Sequence, residues 1–414
     1  MVSGCFQYRQ GSLYCEGVAL ADIAKNAGTP CYVYSSGAIL ERYRAYDEAL
    51  SELPHQVCYA VKANSNLGLL ALLARAGAGF DIVSGGELFR VLRAGGDPSK
   101  VVFSGVGKTA DEVEYALERG IHSFNCESEG ELALIDALAA RRGVTARIAL
   151  RVNPNVDAGT HPYISTGLRE HKFGIDIAEV EDVYRRAMSF RNLSPEGVGC
   201  HIGSQILDTD PLMEAVDRML ELAGRLRAQG VPIRHFDLGG GLGVRYRPHE
   251  ETPEIRRFIG EVRKKLEGKD LFVMVEPGRS IVGEAGVLLT RVLYRKRTGS
   301  REFVVVDAAM NDLIRPSLYQ SHHEIVPLRQ TSRGTILADV VGPVCESGDF
   351  LALDREIENV LPGDLLAVWT TGAYGFVLSS NYNSRPRPPE ILVEGDGWRV
   401  VRARETYEDL IRGE

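Results

Sequence analysis

A single lysine interrupts an apolar run early in the chain, VCYAVKAN at 57–64, and its amine could act as a nucleophile. An amine in an apolar environment loses its proton more easily, and the neutral form can attack a carbonyl group to form an imine. The alternative is a lysine at a strand end whose charged head stays in water. Taken alone, Lys62 fits that second interpretation better, so its role depends on what surrounds it.

Consecutive glycines follow another apolar run, HFDLGGGLG at 235–243. Glycines allow backbone N–H groups to face an anion closely, and the N-terminus of a following helix would add a favourable dipole. A tight turn needs glycine just as much, so the motif alone does not separate the two interpretations. The chemical hypothesis is a phosphate cradle at Gly240 and Gly241.

An acid and a histidine end two further apolar runs. Glu276 follows FVMV, where an unpaired carboxylate would be costly, so it needs a cationic partner. That partner is either Arg279 or another arginine, in a structural salt bridge, or the protonated nitrogen of a pyridine ring. His201, in HIGS, is either a core histidine or a flat ring that stacks on a cofactor.

The elements that carry these residues alternate in type. Eight short β-rich runs between about 57 and 278 are separated by segments with apolar residues at i, i+3, i+4 and i+7. This pattern predicts a (β/α)8 barrel, in which functional groups gather where the strands end. From about 285 the chain predicts an antiparallel β-barrel or sandwich that the N-terminal strand joins. The expected divisions are 1–35, 36–282 and 283–414.

Composition narrows the classes of partner. The chain has 48 basic and 56 acidic residues and no basic run with interleaved aromatics, so no nucleic acid is expected. No stretch reaches the roughly 18 apolar residues needed to cross a bilayer, and the N-terminus has no apolar signal core, which predicts a cytoplasmic protein without a membrane partner. Seven cysteines without a CxxC pair, and His322-His323-Glu324 without further ligands, predict no metal site.

Eight motifs occur together in a recognisable order: YAVKAN, FDIVSGGEL (80–88), THPYISTG with KFGI (160–175), HIGSQ (201–205), DLGGGLG (237–243), EPGR (276–279), GPVCESGD (342–349) and GAYGF (372–376). Through them the chain resembles the fold-type III decarboxylases that use pyridoxal 5'-phosphate, and among these the branch that acts on meso-diaminopimelate. The resemblance spans nearly the whole chain. It implies the same barrel and β domain, and the same cofactor.

The resemblance also implies roles for individual residues. Lys62 would hold the cofactor covalently, His201 would stack on its ring, and Glu276 would pair with the pyridine nitrogen. The phosphate would lie against Ser204, Gly240, Gly241, Gly278, Arg279 and Tyr374. Cys345 would protonate the product carbon and, with Glu346, would come from the partner subunit of a head-to-tail homodimer. Without the resemblance, Cys345 fits a small buried hydrophobe better and Tyr374 could be an aromatic core residue.

The substrate's far end decides which amino acid is used. A carboxylate at Glu276 favours decarboxylation over racemisation, because it keeps the ring nitrogen protonated and the ring a strong electron acceptor. The second carboxylate of diaminopimelate needs a bidentate cation, for which Arg279 and Arg315 are the candidates, with Tyr319 and Tyr374 beside them. Glu346 could accept the distal ammonium.

Two other functions stay open: decarboxylation of ornithine, lysine or arginine, and a catalytically silent protein that binds the cofactor. Arg315 could also be no more than a member of a surface ion pair. The glycine-punctuated segment 155–172 is the candidate for a mobile cover over the site.

Overall fold

The computed structural model describes residues 4–157 and 172–414, so most of the segment predicted to cover the site lies outside the described residues. The chain divides into two compact units. We call Arg42–Val244 with Thr252–Ser280 the barrel unit, and Met1–Glu41 with Arg245–Glu251 and Ile281–Glu414 the β unit.

The strands, in chain order, are β1 (Phe6–Arg9), β2 (Ser12–Cys15), β3 (Val18–Ala19), β4 (Cys31–Ser35), β5 (His55–Ala60), β6 (Gly79–Ile82), β7 (Val101–Phe103), β8 (Ser123–Cys126), β9 (Ala146–Asn153), β10 (Ile175–Asp176), β11 (Leu193–Cys200), β12 (His235–Asp237), β13 (Phe272–Val275), β14 (Gly286–Thr298), β15 (Arg301–Val306), β16 (Ile325–Pro327), β17 (Thr335–Val341), β18 (Phe350–Glu358), β19 (Leu365–Val368), β20 (Glu390–Glu394) and β21 (Gly397–Arg402). The α-helices are α1 (Leu20–Ala27), α2 (Ser36–Ala49), α3 (Leu67–Arg75), α4 (Gly85–Arg93), α5 (Ala110–Arg119), α6 (Glu129–Arg142), α7 (Val180–Ala187), α8 (Asp210–Ala228), α9 (Ile255–Leu266), α10 (Arg279–Val282), α11 (Arg315–Tyr319) and α12 (Tyr407–Leu410).

The barrel unit is a closed parallel barrel, as the alternating pattern predicted. Its strands β5, β6, β7, β8, β9, β11, β12 and β13 pair in that order, and β13 returns to β5. Because both faces of such strands are covered, they are apolar almost throughout, and every residue of β6, β7 and β8 is buried. Cys58, Val102 and Met274 form an apolar cluster among the barrel strands.

Short capped turns lead from the strands into the helices and bring the strand ends to one face of the barrel. Ser84 caps α4 and Ser128 caps α6, each two residues after a strand ends. Helix α5 begins with a capping box between Thr109 and Glu112 and ends at Gly120 in the left-handed conformation. These signals allow a strand to turn into a helix within a few residues, and the carboxyl ends of all eight strands therefore share one mouth.

The β unit is mostly antiparallel, as predicted. Its large sheet runs β18-β17-β15-β14-β4-β20-β21; β19 pairs with β14, and β16 pairs with β19. Two of its pairings, β15 with β17 and β4 with β20, are parallel. The N-terminal strand β4 lies between β14 and β20, which confirms that the beginning of the chain belongs to this unit.

The N-terminal segment contains one element that was not predicted from the sequence. Besides the strands and turns suggested by the pattern of residues 1–35, the eight-residue helix α1 lies among them. Its buried residues Leu20, Ile23 and Ala24 are spaced at i, i+3 and i+4, so a short amphipathic pattern was present in the sequence.

Candidate active site

Lys62 lies at the carboxyl end of the first barrel strand, in a single turn of 3-10 helix, Val61–Ala63, that directly follows β5. Its Nζ atom is 2.7 Å from Oδ2 of Asp81, a fully buried carboxylate in the middle of β6. A charge-assisted contact of this length orients the amine. The Lys62 side chain is 33% exposed, although its amine contacts a buried carboxylate. A molecule that enters the barrel can therefore reach this side chain.

Asp81 is a residue that the sequence motifs did not single out. The available signal was one acid in the otherwise apolar strand GFDI, where a carboxylate needs a partner inside the barrel. Within the described residues its Oδ1 atom accepts no hydrogen bond, although it is buried. Most buried acceptors in proteins do have a donor, so this oxygen is an unusual feature of the site.

Glu276 belongs to a cluster of buried polar side chains at the ends of neighbouring strands. Its Oε1 atom accepts a hydrogen bond from Nδ2 of Asn125 at 3.0 Å and lies 3.4 Å from Oγ of Ser104. The same Asn125 amide is 3.2 Å from Oδ2 of Asp237, and the carboxyl groups of Asp237 and Glu276 are hydrogen-bonded to each other. No role was predicted for Ser104, Asn125 or Asp237, although Asp237 begins the DLGGGLG motif, because a polar residue at a strand end does not show which residue of another strand it contacts.

Burial governs the protonation of this cluster. Loss of water raises the pKa of Glu276 well above its ordinary value, and the negative charge of Asp237 raises it further. The pKa of Asp237 is also raised by burial, while hydrogen bonds from Glu276 and from the backbone of Gly239 act in the opposite direction. Glu276 therefore keeps its proton to a higher pH than an exposed glutamate does.

His201 follows β11 as a neutral ring. Burial, followed by the positive charge of Arg151, lowers the pKa of the imidazole well below its usual value. Its Nδ1 atom accepts a hydrogen bond from the amide of Gly240 at 3.2 Å, which assigns the remaining ring proton to Nε2. Arg151, not foreseen from the sequence, is held 3.1 Å from Oε1 of Glu127 and stacks on the ring of Phe173.

The glycine run forms a turn that only glycine can occupy. Gly239 and Gly241 have positive φ angles of 63° and 113°. A Cβ atom at Gly240 would lie 2.4 Å from the carbonyl oxygen of Glu276, and one at Gly241 would lie 2.6 Å from that of Gly203. The loops after β11, β12 and β13 therefore pack backbone against backbone.

The expected helix after the glycine run was wrong, because the next helix, α9, begins only at Ile255. A helix dipole therefore contributes nothing at Gly240 and Gly241, and close backbone approach is what this loop offers an anion. The neighbouring loops add side-chain donors: Nη2 of Arg279 is 3.0 Å from Oγ of Ser204. Gly278 has no room for a side chain, since its Cβ would lie 2.9 Å from that of Ala63.

Lys62, His201 and Glu276 line one cavity inside the barrel unit. Its lining residues are Lys62, Ser104, Asn125, Leu150, Arg151, Gly199, Cys200, His201, Asp237 and Glu276. An oriented amine fits an aldehyde, a neutral flat imidazole fits an aromatic ring, and a proton-bearing carboxyl group fits a pyridine nitrogen. With the glycine loop and Arg279 nearby, the residues present fit pyridoxal phosphate.

Arg315 and Tyr319 lie together in the β unit, on the short helix α11. The guanidinium group of Arg315 is buried and lies 5.2 Å from the ring centre of Tyr246 and 5.7 Å from that of Tyr319. Its Nη2 atom is 3.2 Å from Oγ of Ser321. Contacts with two rings hold the plane of the guanidinium group, which suits a planar carboxylate.

Cys345 and Glu346 occupy the loop between β17 and β18. Cys345 is exposed, and its amide donates to Oδ1 of Asn383 at 3.0 Å. Oε2 of Glu346 accepts a hydrogen bond from the hydroxyl group of Tyr382 at 2.7 Å. Tyr374 is partly exposed and has a positive φ of 55°, a strained conformation for a tyrosine between buried neighbours.

Two further findings concern metals and membranes. Within residues 4–157 and 172–414, no three His, Cys, Asp or Glu side chains are grouped as a metal site requires. His322 instead lies with Nε2 3.2 Å from Oε2 of Glu324. In the same described ranges, every helix is too short or too polar to span a bilayer.

The barrel and its site define the class of protein, and comparison with known proteins agrees. Residues 36–283 match the family described as pyridoxal-dependent decarboxylase, pyridoxal binding domain, and the chain belongs to this family. It is 57% identical over 409 residues to the diaminopimelate decarboxylase of Pseudomonas aeruginosa, covering 99% of this chain and 98% of that one. The match with the Vibrio cholerae diaminopimelate decarboxylase is 52% over 407 residues, with 98% and 97% covered.

A solved structure shows the same likeness. The diaminopimelate decarboxylase of Helicobacter pylori, complexed with L-lysine, superposes with a TM-score of 0.91 at 45% identity, covering 95% of this chain and 98% of that one.

Proposed function

We propose that this chain decarboxylates meso-diaminopimelate to L-lysine and carbon dioxide with pyridoxal 5'-phosphate as cofactor, the reaction that completes lysine biosynthesis. The observation that carries the proposal is the barrel cavity that Lys62, neutral His201 and Glu276 line, with Asp81 2.7 Å from the amine of Lys62. When bound, the cofactor supplies an aldehyde that binds amines and a conjugated ring that accepts the electron pair left by the departing carboxylate.

Each barrel residue has a separate task in this proposal. Lys62 binds the cofactor, and Asp81 holds its amine in place through the contact of 2.7 Å. Glu276 holds a proton at the ring nitrogen, which favours decarboxylation, and His201 supports the ring. Ser204, Gly240, Gly241, Gly278, Arg279 and Tyr374 are proposed to hold the phosphate.

The carbon dioxide released from a panel of amino acids tests the function directly. The purified chain, supplied with pyridoxal phosphate, is incubated with meso-diaminopimelate, D-lysine, L-lysine, ornithine and arginine. We expect kcat/KM for meso-diaminopimelate to exceed the others by at least about 10²-fold, because the alternatives leave a cationic pocket without its carboxylate. Preference for another amino acid would support the second function named above, and no turnover of any would support the silent protein.

Arg315 is proposed to bind the distal carboxylate of the substrate, with Arg279 and Tyr319, while Glu346 accepts the distal ammonium. Replacing Arg315 with Met should raise KM for meso-diaminopimelate by about 10–100-fold, since a bidentate charge-assisted contact is lost. Arg315→Lys should recover only part of the substrate affinity, because an ammonium group cannot bind a carboxylate with two parallel hydrogen bonds as a guanidinium group does. Steady-state kinetics and the visible absorption of the bound cofactor are the measurements.

A matched control for Arg315 is Arg301→Met, which removes an arginine that is 61% exposed and paired with Asp339 in the same unit. This variant should leave KM within about 2-fold of the original, as expected for a surface ion pair. Equal KM values for the Arg315→Met and original chains would contradict the proposed contact.

Cys345 is proposed to protonate the product carbon, from the partner subunit of a homodimer. Its exposure in a surface loop supports this role. Cys345→Ala should keep the cofactor bound and lower kcat by about 10²–10⁴-fold, the range for loss of a positioned acid. Cys5→Ala, which changes a partly buried thiol of the same unit, serves as the control.

Mixing the Lys62→Ala and Cys345→Ala chains tests whether two subunits share each site. Random exchange should restore about a quarter of the original activity, because half of the dimers are mixed and each has one intact site. No recovery after exchange, verified with differently tagged chains, would contradict shared sites.

The domain division is also part of the proposal. We place the cofactor-binding domain at 36–282 and the β domain at 1–35 with 283–414. Helix α2 begins at Ser36 and α10 ends at Val282, so both boundaries coincide with ends of secondary-structure elements. The cytoplasmic location expected from the sequence stays a prediction.

A further inference from the structure

Asp237 and Glu276 form a pair of buried acids inside the barrel. Asp237 is the last residue of β12 and Glu276 directly follows β13, and the two carboxyl groups are hydrogen-bonded to each other. Two carboxyl groups can form such a bond only if one of them is protonated. With exposures of 2% and 8%, two negative charges side by side would be costly. The pair therefore holds one proton.

The surrounding donors place the negative charge on Asp237. Its Oδ1 atom accepts from the amide of Gly239 at 2.8 Å, and its Oδ2 atom from Nδ2 of Asn125 at 3.2 Å. A backbone amide is a fixed donor that favours the ionised form of a carboxyl group. In the part of the chain that the structure describes, the carboxyl group of Glu276 contacts the side chains of Asn125, Ser104 and Asp237 rather than a backbone amide. Glu276 is thus the donor of the shared proton.

Other ionisable groups around the pair leave this balance unchanged. Those that face it are Lys62, Asp81, His201, Arg151, Cys58 and Cys200. Lys62 and Asp81 cancel each other as an ion pair. Burial raises the pKa of both thiols, so they stay neutral. The positive charge of Arg151 is compensated by Glu127. The charge closest to the Glu276 carboxyl group that has no counterion among these residues is therefore that of Asp237.

We infer that Asp237 is a positioning residue for Glu276: in the cofactor-free chain the two carboxyl groups share one proton, and the hydrogen bond between them fixes the Glu276 carboxyl group in the cavity, from which that proton can pass to the nitrogen of the cofactor ring when the cofactor binds. The inference rests on the proposed function, which assigns Glu276 to the ring nitrogen. Asn125 completes the arrangement, since its single Nδ2 group contacts both acids and keeps their oxygens together.

Infrared spectroscopy of the cofactor-free chain tests the shared proton without any turnover. Measured at about pH 9, where a carboxyl group with a pKa near 7 is about 99% ionised, the original chain should still show the C=O band of a protonated acid. Glu276→Gln should remove the band. Asp237→Asn should shift or remove it, because the acceptor of the proton has changed.

Asp312→Asn is the matched control for the infrared measurement. Burial raises the pKa of Asp312 in the β unit to about 7, so its own C=O band disappears as the pH rises through about 7. Asp312→Asn should remove that band and leave the band at about pH 9 unchanged. Absence of the band at about pH 9 in the original chain, or an identical band in Asp237→Asn, would overturn the inference.

A double-mutant cycle tests whether Asp237 acts through Glu276. Asp237→Asn should lower kcat by about 10-fold with KM within about 2-fold, but should change kcat less than about 2-fold when Glu276→Gln is already present. Independent, multiplicative effects would refute a positioning role. If the original chain does not decarboxylate diaminopimelate, the cycle is measured in the affinity for pyridoxal phosphate, and the infrared result stands separately from the failed function.

Discussion

Replacing Lys62 with Ala is expected to abolish both stable cofactor binding and turnover, with activity reduced by at least about 10⁴-fold. The amine is held 2.7 Å from a buried carboxylate, and the cavity lining that the structure describes contains no second lysine to replace it. The measurements are carbon dioxide release and the visible absorption that remains on the chain after excess pyridoxal phosphate is removed.

Lys108→Met is the matched control for Lys62→Ala. Lys108 is also a buried lysine of the barrel unit, with Nζ 2.5 Å from Oε1 of Glu131, but it does not line the cavity. This change should lower the unfolding temperature, because removing one partner of a buried ion pair leaves a charge uncompensated, yet the visible band should persist. A band that survives in the Lys62→Ala chain would contradict the cofactor assignment.

Replacing Glu276 with Gln should lower kcat by about 10²–10⁴-fold while the cofactor stays bound. Glutamine preserves the shape of the side chain and can still contact Asn125, but it has no acidic proton to hold at the ring nitrogen. Lys62 is unchanged, so the visible absorption should remain. Single-turnover measurements with meso-diaminopimelate separate loss of the chemical step from loss of substrate binding.

Asp339→Asn serves as the control for Glu276→Gln, because it neutralises another buried acid without touching the barrel unit. Oδ1 of Asp339 accepts a hydrogen bond from the backbone amide of Asp354 at 2.7 Å, so the change should affect folding stability rather than kcat. If the Glu276→Gln chain had the same kcat as the original chain, an acidic proton at this position would not be required.

The strand-end residues were accessible to sequence reasoning because their positions follow from local patterns. An apolar run predicts a strand, a Gly or Ser signal predicts its end, and barrel strands end at one face. Lys62, His201 and Glu276 were therefore placed at a common mouth, and the structure puts all three on one cavity.

The glycine run shows where local patterns fail. Gly240 and Gly241 were expected to gain from a following helix, but that helix starts only at Ile255. The close approach of Gly240 to the carbonyl of Glu276 is instead what requires glycine. Such contacts join separate loops, and nothing in the run itself specifies them.

The sequence by itself determined the barrel, the β domain, and which strand ends carry an amine, a histidine and an acid. Only the tertiary structure decided that Asp81 contacts Lys62, and that Asp237 and Asn125 contact Glu276. The physical reason is that these partners lie on different strands, so their contacts depend on barrel closure and on the register between strands. A single acid in an apolar run indicates a need for a partner, but only closure selects which one.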